Sequence, residues 1–238
     1  MLTRAGSPFC AAELRTVNVV ARGKGAGMPE LSGQAFWDDR YRSRPAIWSG
    51  EPNRHLVGEA SGLRVGAALD VGSGEGADAI WLAQQGWQVT AVDLSVVALE
   101  RGAESAARVG ADIAGRITWT HADLTTWEPG REVYDLVSAQ YMHLPQEPRE
   151  ALFRRLSESV APGGSLLVVG HHPSDLQTTI GRPPRPGVLY TGDEVAALLD
   201  PERWEIVTNA TPGRTATDPE GREVTIHDAV LRAFRRGR

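Results

Sequence analysis

Glycines alternate with other residues in the stretch LDVGSGEG, residues 69–76, which lies between an apolar run and a helix-like pattern. Gly72 and Gly74 carry no side chain, so the backbone there can approach a bound molecule closely. Asp70 adds a negative charge that would repel a pyrophosphate and attract an ammonium group. The glycines also match the G-x-G-x-x-G/A spacing of dinucleotide-binding loops, and Asp93 follows where such proteins place a ribose-binding carboxylate. The loop by itself therefore leaves two kinds of ligand open.

The composition excludes several other kinds of chemistry. The chain has 238 residues, a formal net charge of −5 and one cysteine, Cys10. Lys24 is the only lysine, which argues against a Schiff-base lysine, a Gly-Lys-Ser/Thr phosphate loop and a Tyr-x-x-x-Lys pair. The acidic balance argues against nucleic-acid binding, and no apolar run of about 18 residues could span a membrane. A single cysteine is typical of a reducing compartment, so we predict a cytoplasmic protein that acts on a small molecule.

The chain divides into three segments. Residues 1–28 show no sustained periodicity and an excess of basic residues, which predicts a disordered leader or a non-native extension, with Met28 as a candidate for the true start. Residues 29–66 form a predicted arm over the main fold. Residues 67–238 form the predicted catalytic core, and 29–238 would fold as one domain.

Strands and helices alternate along the core, which predicts a layered α/β fold with a mostly parallel sheet. The predicted strands are 67–72, 87–93, 116–123, 134–140 and 165–172, with helices at 77–86, 96–110 and 148–161. Ligands of such sheets bind beyond the carboxyl ends of the strands. Asp70, Asp93 and Asp123 all lie at or near such an end, and Asp123 could place an acceptor near an adenine amino group.

The last part of the chain breaks this alternation. Residues 203–212 and 223–236 both have strand patterns, and only the turn-rich stretch GRTATDPEG separates them, so they must pair antiparallel. The predicted fold is α/β and Rossmann-like: a mostly parallel seven-stranded sheet with an antiparallel C-terminal hairpin and helices on both faces. It is not the symmetrical two-half dinucleotide fold.

These residues, taken in order, resemble the class I S-adenosylmethionine-dependent methyltransferases over about residues 34–234. The motifs that carry the resemblance are Asp70-x-Gly72-x-Gly74-x-Gly76, Asp93, Ala122-Asp123, Tyr134-Asp135 and Pro162-Gly163-Gly164. The resemblance implies S-adenosyl-L-methionine as cofactor, with Asp70 near its amino group and Asp93 accepting both ribose hydroxyls. It implies that Asp123 and Leu124 contact adenine. The predicted cofactor contacts of the core are Asp70, Gly72, Ser73, Gly74, Asp93, Leu94, Asp123 and Leu124.

The arm FWDDRYRSRPAIWSGEPNRHL, residues 36–56, is similar to the entry segments of small methyltransferases of the tellurite-resistance and thiopurine type. By that similarity Trp37, Tyr41 and Trp48 would close over the cofactor and attract its sulfonium. The alternative is that these aromatic side chains only pack on the sheet edge. Arg40 or Arg42 could meet the cofactor carboxylate.

Residues that face the methyl acceptor should follow the fourth and fifth strands, in SAQYMHLP (138–145) and GHHPSD (170–175). The predicted catalytic residues are Tyr141, His143, His171 and His172, with His227 as a possible neighbour. Each histidine could be a base or a substrate contact, or a hydrogen-bonded packing residue, which is the interpretation we prefer for His55 and His121. We predict no metal site, because no cysteine assists the histidines.

The long loop 173–194 contains Arg182 and Arg185 and could act as a lid or select the substrate. Its arginines could hold an anionic acceptor, or they could simply be solvated.

Three functions remain open from the sequence. The first is a methyltransferase acting on a small molecule, such as a thiol, a chalcogen compound or another soft nucleophile. The second is a nicotinamide-dependent oxidoreductase. The third is a non-catalytic module that binds S-adenosylmethionine.

Overall fold

The computed structural model describes residues 15–16, 33–182 and 187–237. Most of the predicted leader, including Met28, therefore lies outside the described residues, as does Arg185 of the predicted lid. Arg15–Thr16 form a two-residue strand within that leader. Among the described residues, none of the helices has the length and apolar character needed to cross a membrane.

Nine strands of the described chain form one sheet. They are β1 (Arg15–Thr16), β2 (Ala67–Val71), β3 (Gln88–Asp93), β4 (Ile117–His121), β5 (Tyr134–Gln140), β6 (Val160–His171), β7 (Trp204–Ala210), β8 (Gly213–Thr217) and β9 (Glu223–Arg235). Their order across the sheet is β1-β4-β3-β2-β5-β6-β9-β7, and β8 pairs with β9. The pairs from β1 to β6 are parallel, whereas β9 runs antiparallel to β6, β7 and β8.

Seven α-helices accompany these strands in the described segments. They are α1 (Gln34–Arg42), α2 (Arg54–Ala60), α3 (Ala77–Gln84), α4 (Val96–Val109), α5 (Ala111–Ala114), α6 (Gln146–Ser159) and α7 (Gly192–Ala196), and a 3-10 turn covers Pro173–Gln177. Their ends follow local sequence signals. Ser95 accepts a hydrogen bond from the Ala98 backbone at the start of α4, and Thr191 with Glu194 forms a capping box at the start of α7.

The sheet has a hydrophobic core on each face. Successive strand residues point to opposite faces, so Ala68 packs on one side and Leu69 on the other. Helices α2, α3 and α4 contribute to the core that contains Ala68, through residues such as Leu56, Leu82 and Leu99. The opposite core contains Leu152, Phe153 and Leu156 of α6 and Val195 of α7. The prediction of a mixed sheet with helices on both faces is confirmed. The predicted number of seven strands is too low, because β1 and β8 bring the described sheet to nine.

The terminal hairpin differs from the prediction in one respect. The stretch 213–221 was expected to be only a turn, but it contains β8, whose register runs from Gly213↔His227 to Thr217↔Glu223. The physical reason is the length of β9. Its second half pairs with β6 and β7, and β8 covers its first half, which would otherwise be an unpaired edge.

Strand β6 also begins earlier than predicted, at Val160 rather than Ser165. Val160 pairs with Tyr134, and a register shift then separates this pair from Leu136↔Ser165. The Pro-Gly-Gly stretch that follows Val160 is therefore an irregular part of the strand and not a linker before it. The carboxyl ends of β2, β3, β5 and β6 come together at one edge of the sheet, where the candidate residues lie.

Candidate functional site

The loop after β2 is shaped by its glycines. Gly72, Gly74 and Gly76 have φ values of 70°, 52° and 83°, a region that residues with side chains rarely adopt. A Cβ on Gly76 would lie 2.4 Å from the Trp119 ring, and one on Gly72 would lie 2.2 Å from Cε of Met142. The loop can therefore take this course only with glycine. We call residues 70–76 together with Asp93 the glycine cradle.

Asp70 is the buried carboxylate of the cradle, 2% exposed. Its Oδ2 is buried without a hydrogen-bond partner among the described residues, and so is Oγ of Ser73. Burial raises the pKa of Asp70 well above its usual range, and the nearby carboxylates of Asp78 and Asp93 raise it further. Two polar atoms of the cradle are thus buried without a hydrogen bond, which costs free energy of folding unless a ligand supplies the missing partner.

Asp93 ends β3 and fixes the loop. Its Oδ2 accepts a hydrogen bond from the Gly74 backbone at 2.8 Å, and its Oδ1 accepts one from the Ser95 backbone at 2.8 Å. Burial raises the pKa of Asp93, and the two backbone donors oppose that rise. A carboxylate has about four acceptor positions, so these two bonds leave Asp93 able to accept from two adjacent hydroxyl groups.

The arm lies against the cradle. The hydroxyl of Tyr41 sits over Gly74, 2.9 Å from where a Cβ would be, and it accepts a hydrogen bond from Nε1 of Trp48 at 3.1 Å. The backbones of Ile47 and Trp48 both donate to Oε2 of Glu75, at 3.1 and 3.3 Å. The structure thus brings two of the three predicted arm aromatics to the glycine loop.

The third aromatic residue, Trp37, lies nearer the N-terminus of α1 than Tyr41 and contacts a cation. The guanidinium of Arg40 lies 5.5 Å from the Trp37 ring centre and 5.8 Å from that of Trp48, within cation–π range. Arg42 instead pairs with Asp39 on the helix surface. Arg40 is therefore the arginine of this pair that lies beside the predicted cofactor aromatics.

The residues predicted near adenine occupy the segment after β4. Oδ1 of Asp123 accepts hydrogen bonds from the backbone and hydroxyl of Thr125, at 2.9 and 2.7 Å, in an exposed turn. Leu124 packs on the core. The carbonyl oxygen of Leu94 lies 3.0 Å from Nε2 of His121, within hydrogen-bond distance. Asp123 thus has the local turn role that its residue type permits, and its contact with the cofactor stays a prediction.

Beyond the cradle, three aromatic rings meet where β5 and β6 end. His143 and His171 stack with ring centres 4.8 Å apart and an angle of 15°, and Tyr141 lies 4.5 Å from His171. Tyr141 has a φ of 53°, which is uncommon for a bulky residue and often marks a functional position. Asp228 of β9 completes the group, and we call Tyr141, His143, His171 and Asp228 the imidazole cluster.

Asp228 is the shared partner of the cluster, with its side chain 1% exposed. Its Oδ1 accepts from the Tyr141 hydroxyl at 3.4 Å and lies 3.7 Å from Nδ1 of His171. Its Oδ2 lies 3.0 Å from Nε of Arg214 and 3.1 Å from Nε2 of His55. Burial would raise the pKa of Asp228, but the donors that face it outweigh burial and hold the pKa well below its usual range. The carboxylate therefore stays ionised.

Burial also keeps the imidazoles neutral. Burial, together with the neighbouring His171 and Arg182, lowers the pKa of His143 to about 3. The pKa of His171 is lowered by burial too, although Asp228 partly opposes this. Nε2 of His143 is buried without a hydrogen-bond partner among the described residues. At neutral pH these rings are uncharged, so in each ring one nitrogen donates a hydrogen bond and the other accepts one.

His172 and His227 form a separate pair, although each is adjacent in sequence to a cluster residue. Their ring centres are 6.5 Å apart, and Oγ of Ser174 lies 2.9 Å from Nδ1 of His172. Alternation along β6 and β9 explains the separation, because neighbouring strand residues point to opposite faces. The structure therefore groups Tyr141, His143 and His171, and leaves the predicted His172 apart from them.

Sequence reasoning missed Asp228 and Arg214, and it considered His55 only as a hydrogen-bonded packing residue. One signal was present: in IHDAVL of β9, Asp228 directly precedes the apolar run AVL, and a carboxylate in a strand beside such a run is unusual without a partner. Arg182 was considered, and its NH1 lies 2.8 Å from Nε2 of His171. Among the described residues, no group of three or more His, Cys, Asp or Glu side chains could hold a metal ion.

The residues of the cradle fit S-adenosylmethionine. Asp70 offers a buried acceptor without a partner for an ammonium group, and Asp93 offers acceptor positions for two neighbouring hydroxyls. The glycine loop leaves its backbone open to a ligand, and Tyr41 and Trp48 cover the loop from the arm.

Comparisons with known proteins agree with this fit. A family model described as a methyltransferase domain matches residues 68–164. Thiocyanate methyltransferase 1 of Brassica oleracea is 31% identical over 180 residues, which cover 71% of this chain and 74% of that protein. An uncharacterized methyltransferase of Mycobacterium tuberculosis is 39% identical over 102 residues, covering 42% of this chain. The matched region is 48% of that relative, so this chain spans about half of its length.

Among solved structures, a protein studied in the conversion of a disulfide bond into a thioacetal group during echinomycin biosynthesis has a similar fold. The TM-score is 0.65 at 22% identity, and the match covers 85% of this chain and 91% of that one.

Proposed function

Because the chain belongs to the class I S-adenosylmethionine-dependent methyltransferases, we propose that it transfers the methyl group to a small nucleophile that arrives already deprotonated. A thiolate or another soft anion has this property. The observation that carries the proposal is that the imidazole cluster lacks an effective proton acceptor at neutral pH.

Each candidate base of the cluster is unsuited to removing a proton. The pKa of His143 is about 3, so its neutral ring binds a proton only weakly. His171 accepts from Arg182 through Nε2, which occupies the lone pair that a base would use. The pKa of Tyr141 is raised, chiefly by burial, so the phenol stays protonated. Alcohols and most amines need such a base, whereas thiolates attack without one.

The charges around the cluster favour a negatively charged acceptor. Nε of Arg214 donates to Asp228, and the terminal amino groups of Arg214 make no side-chain hydrogen bond to the described residues, so they can still donate. Arg182 and Arg54 also lie at the cluster, and among the described residues the carboxylates paired with these three guanidiniums are those of Asp228 and Asp175. Guanidinium groups recognise anions through several donors at once.

The relative from Brassica oleracea supports the same choice, because its name gives thiocyanate, a soft sulfur-containing anion, as the methylated compound. We also propose that the acceptor is a small molecule in the cytoplasm and not a nucleic acid, since the chain is acidic, with a formal net charge of −5.

The chain itself has to bind, orient and shield the reactants. S-Adenosylmethionine supplies a methyl group on a sulfonium that is already a good electrophile. We propose that Asp70 and Asp93 hold the cofactor, while Tyr41 and Trp48 keep water out of the cradle. The cluster then holds the acceptor. Alignment of two bound reactants can supply about 7–11 kcal/mol of the barrier, so an enzyme of this kind can work without a base.

The test is a panel of acceptors offered with S-adenosylmethionine at pH 7: thiocyanate, hydrosulfide, an aromatic thiol, iodide, an alcohol and an amine. We expect methylation of soft anions and none of the alcohol or amine. In Arg214→Gln, KM for the anionic acceptor should rise about tenfold, which corresponds to ~1.4 kcal/mol, with unchanged binding of S-adenosylhomocysteine. Arg108→Gln is the matched control on the exposed surface of α4.

Methylation confined to the alcohol or amine would contradict the proposal. Binding of S-adenosylhomocysteine without turnover of any acceptor would favour the non-catalytic module.

A further inference from the structure

Asp228 lies directly across the sheet from His171. The two residues form the last antiparallel pair between β6 and β9, so both side chains point to the same face. Asp228 also faces His55 of α2, Tyr141 after β5 and Arg214 of β8. One buried carboxylate therefore connects four other elements around the acceptor side.

One hydrogen bond and one charge contact of His171 define where its proton lies. Arg182 can only donate, so the 2.8 Å contact between its NH1 and Nε2 of His171 requires an unprotonated Nε2. In a neutral ring the single proton is then on Nδ1, which faces Oδ1 of Asp228 at 3.7 Å. This is a charge contact beyond hydrogen-bond distance, and Nδ1 has no hydrogen-bond partner among the described residues. The opposite tautomer would direct the Nδ1 lone pair at an ionised carboxylate, which is electrostatically unfavourable.

We propose that Asp228 is a positioning residue for methyl transfer, because it holds His171 as the Nδ1–H tautomer. Nε2 of His171 can then accept a hydrogen bond from Arg182, and this bond fixes Arg182 of the loop after β6 at the cluster. The resulting chain of contacts runs from Asp228 through His171 and Arg182 to Asp175. Arg182 donates to Oδ2 of Asp175 from Nε and NH2, at 3.2 and 2.8 Å. The role of Asp228 in catalysis rests on the proposed function, whereas its effect on the tautomer of His171 does not.

Asp228, rather than Arg182, is the fixed member of this chain. Asp228 is on a strand that lies between two others, β6 and β7, and its side chain is 1% exposed, whereas Arg182 is on a loop and its side chain is 14% exposed. The ring of His171 in turn stacks on His143 and lies against Tyr141. A change in the tautomer or tilt of His171 would therefore displace the other two rings that face the acceptor.

The tautomer can be measured without turnover, by ¹⁵N NMR of histidine-labelled protein saturated with S-adenosylhomocysteine. His171→Gln identifies the signals of His171 among the six histidines. We expect an Nδ1–H ring in the wild type and in Arg182→Ala, where Asp228 is still present. In Asp228→Asn the new amide can donate to Nδ1, so we expect Nε2–H to appear with loss of the Arg182 contact. An Nδ1–H ring that persists in Asp228→Asn, or is lost in Arg182→Ala, would overturn the proposal.

Kinetics give the second measurement. In Asp228→Asn, kcat for the best acceptor should fall at least tenfold, while the Kd of S-adenosylhomocysteine stays within twofold. The matched control is Glu59→Gln, which also removes an ion pair between α2 and β9, that of Glu59 with Arg232, away from the imidazoles. It should change neither value. An unchanged kcat in folded Asp228→Asn would also overturn the positioning role.

The two proposals fail in different ways. If no soft acceptor is methylated, the proposed function fails but the NMR result still decides the tautomer. If Asp228→Asn does not fold, Arg182→Ala still tests whether the tautomer depends on Asp228 or on the loop.

Discussion

The glycine cradle and the imidazole cluster share one edge of the sheet, but they are made from different parts of the chain. The cradle consists of a loop whose shape depends on three glycines with positive φ, held by backbone hydrogen bonds to Asp93. The cluster consists of side chains brought together from separate strands and loops around Asp228. The shape of the cradle is therefore sensitive to any added side chain, whereas the cluster depends on the charge and protonation of its side chains.

The two regions also differ in charge. The cradle presents the carboxylates of Asp70 and Asp93, which suit a cofactor that carries positive charge. Guanidinium groups of Arg182 and Arg214 surround the cluster, which suits a negatively charged acceptor. Under the proposed function, each reactant would therefore meet residues of the opposite charge, on its own side of the same edge.

The largest effect should come from adding a side chain to the cradle. In Gly76→Ala the new Cβ meets the Trp119 ring at 2.4 Å and the residue keeps a φ of 83°. We expect a loss of about 2–5 kcal/mol in the free energy of unfolding, from overpacking and backbone strain. Gly163→Ala is the matched control, because its φ is 86° but nothing lies within 4 Å, and it should cost only about 1–2 kcal/mol. Urea unfolding measures both, and equal costs would show that packing against Trp119 is unimportant.

The next largest effect is on cofactor affinity, which we compare for two carboxylates that were predicted to contact the cofactor. Asp93→Ala removes an acceptor that is buried and holds the loop, so S-adenosylhomocysteine should bind more weakly by about 1–3 kcal/mol. Asp123→Ala removes an exposed side chain that bonds to Thr125, and its effect should be below about 1 kcal/mol. Calorimetry on the folded variants gives both values. Unchanged affinity in Asp93→Ala would remove this residue from the cofactor site.

The smallest effect concerns protonation in the cluster. The pKa of His143 in the folded protein is about 3, below its ordinary value of about 6.5, so the unfolded chain binds a proton at a higher pH than the folded chain. This residue therefore leaves the free energy of unfolding unchanged above about pH 6.5 and lowers it as the pH falls towards 3. Between pH 7.5 and 5, this residue should cost at most about 2 kcal/mol. His143→Gln should make urea unfolding less dependent on pH over that range. The same pH dependence in the variant and the wild type would show that His143 titrates normally.

The difference between the two regions also explains how much the sequence could predict. The cradle lies within about 25 consecutive residues, and its glycine spacing and the position of Asp93 were visible as a motif. The parallel order from β2 to β6 followed from the alternation of strands and helices. Topology also placed Tyr141, His143 and His171 near one edge. These are properties of local sequence or of the fold class.

The rest depends on register between distant strands. Asp228 reaches His171 only because β9 inserts beside β6 with a particular alignment, and a shift of one residue would present His227 instead. Arg214 reaches Asp228 only because β8 exists, and its stretch of small and polar residues looked like a turn. The pKa of His143 depends on burial by surrounding elements, which a single sequence does not show.

The position of β9 in the sheet has a consequence for the order of folding. Contacts of the cradle join residues close in sequence, whereas Asp228 must meet Tyr141, 87 residues earlier, and His55, 173 residues earlier. Non-local contacts have a high entropic cost of loop closure and form late. During synthesis the cofactor side can therefore be organised before residue 228 has been made, and the acceptor side is completed only when β9 enters between β6 and β7.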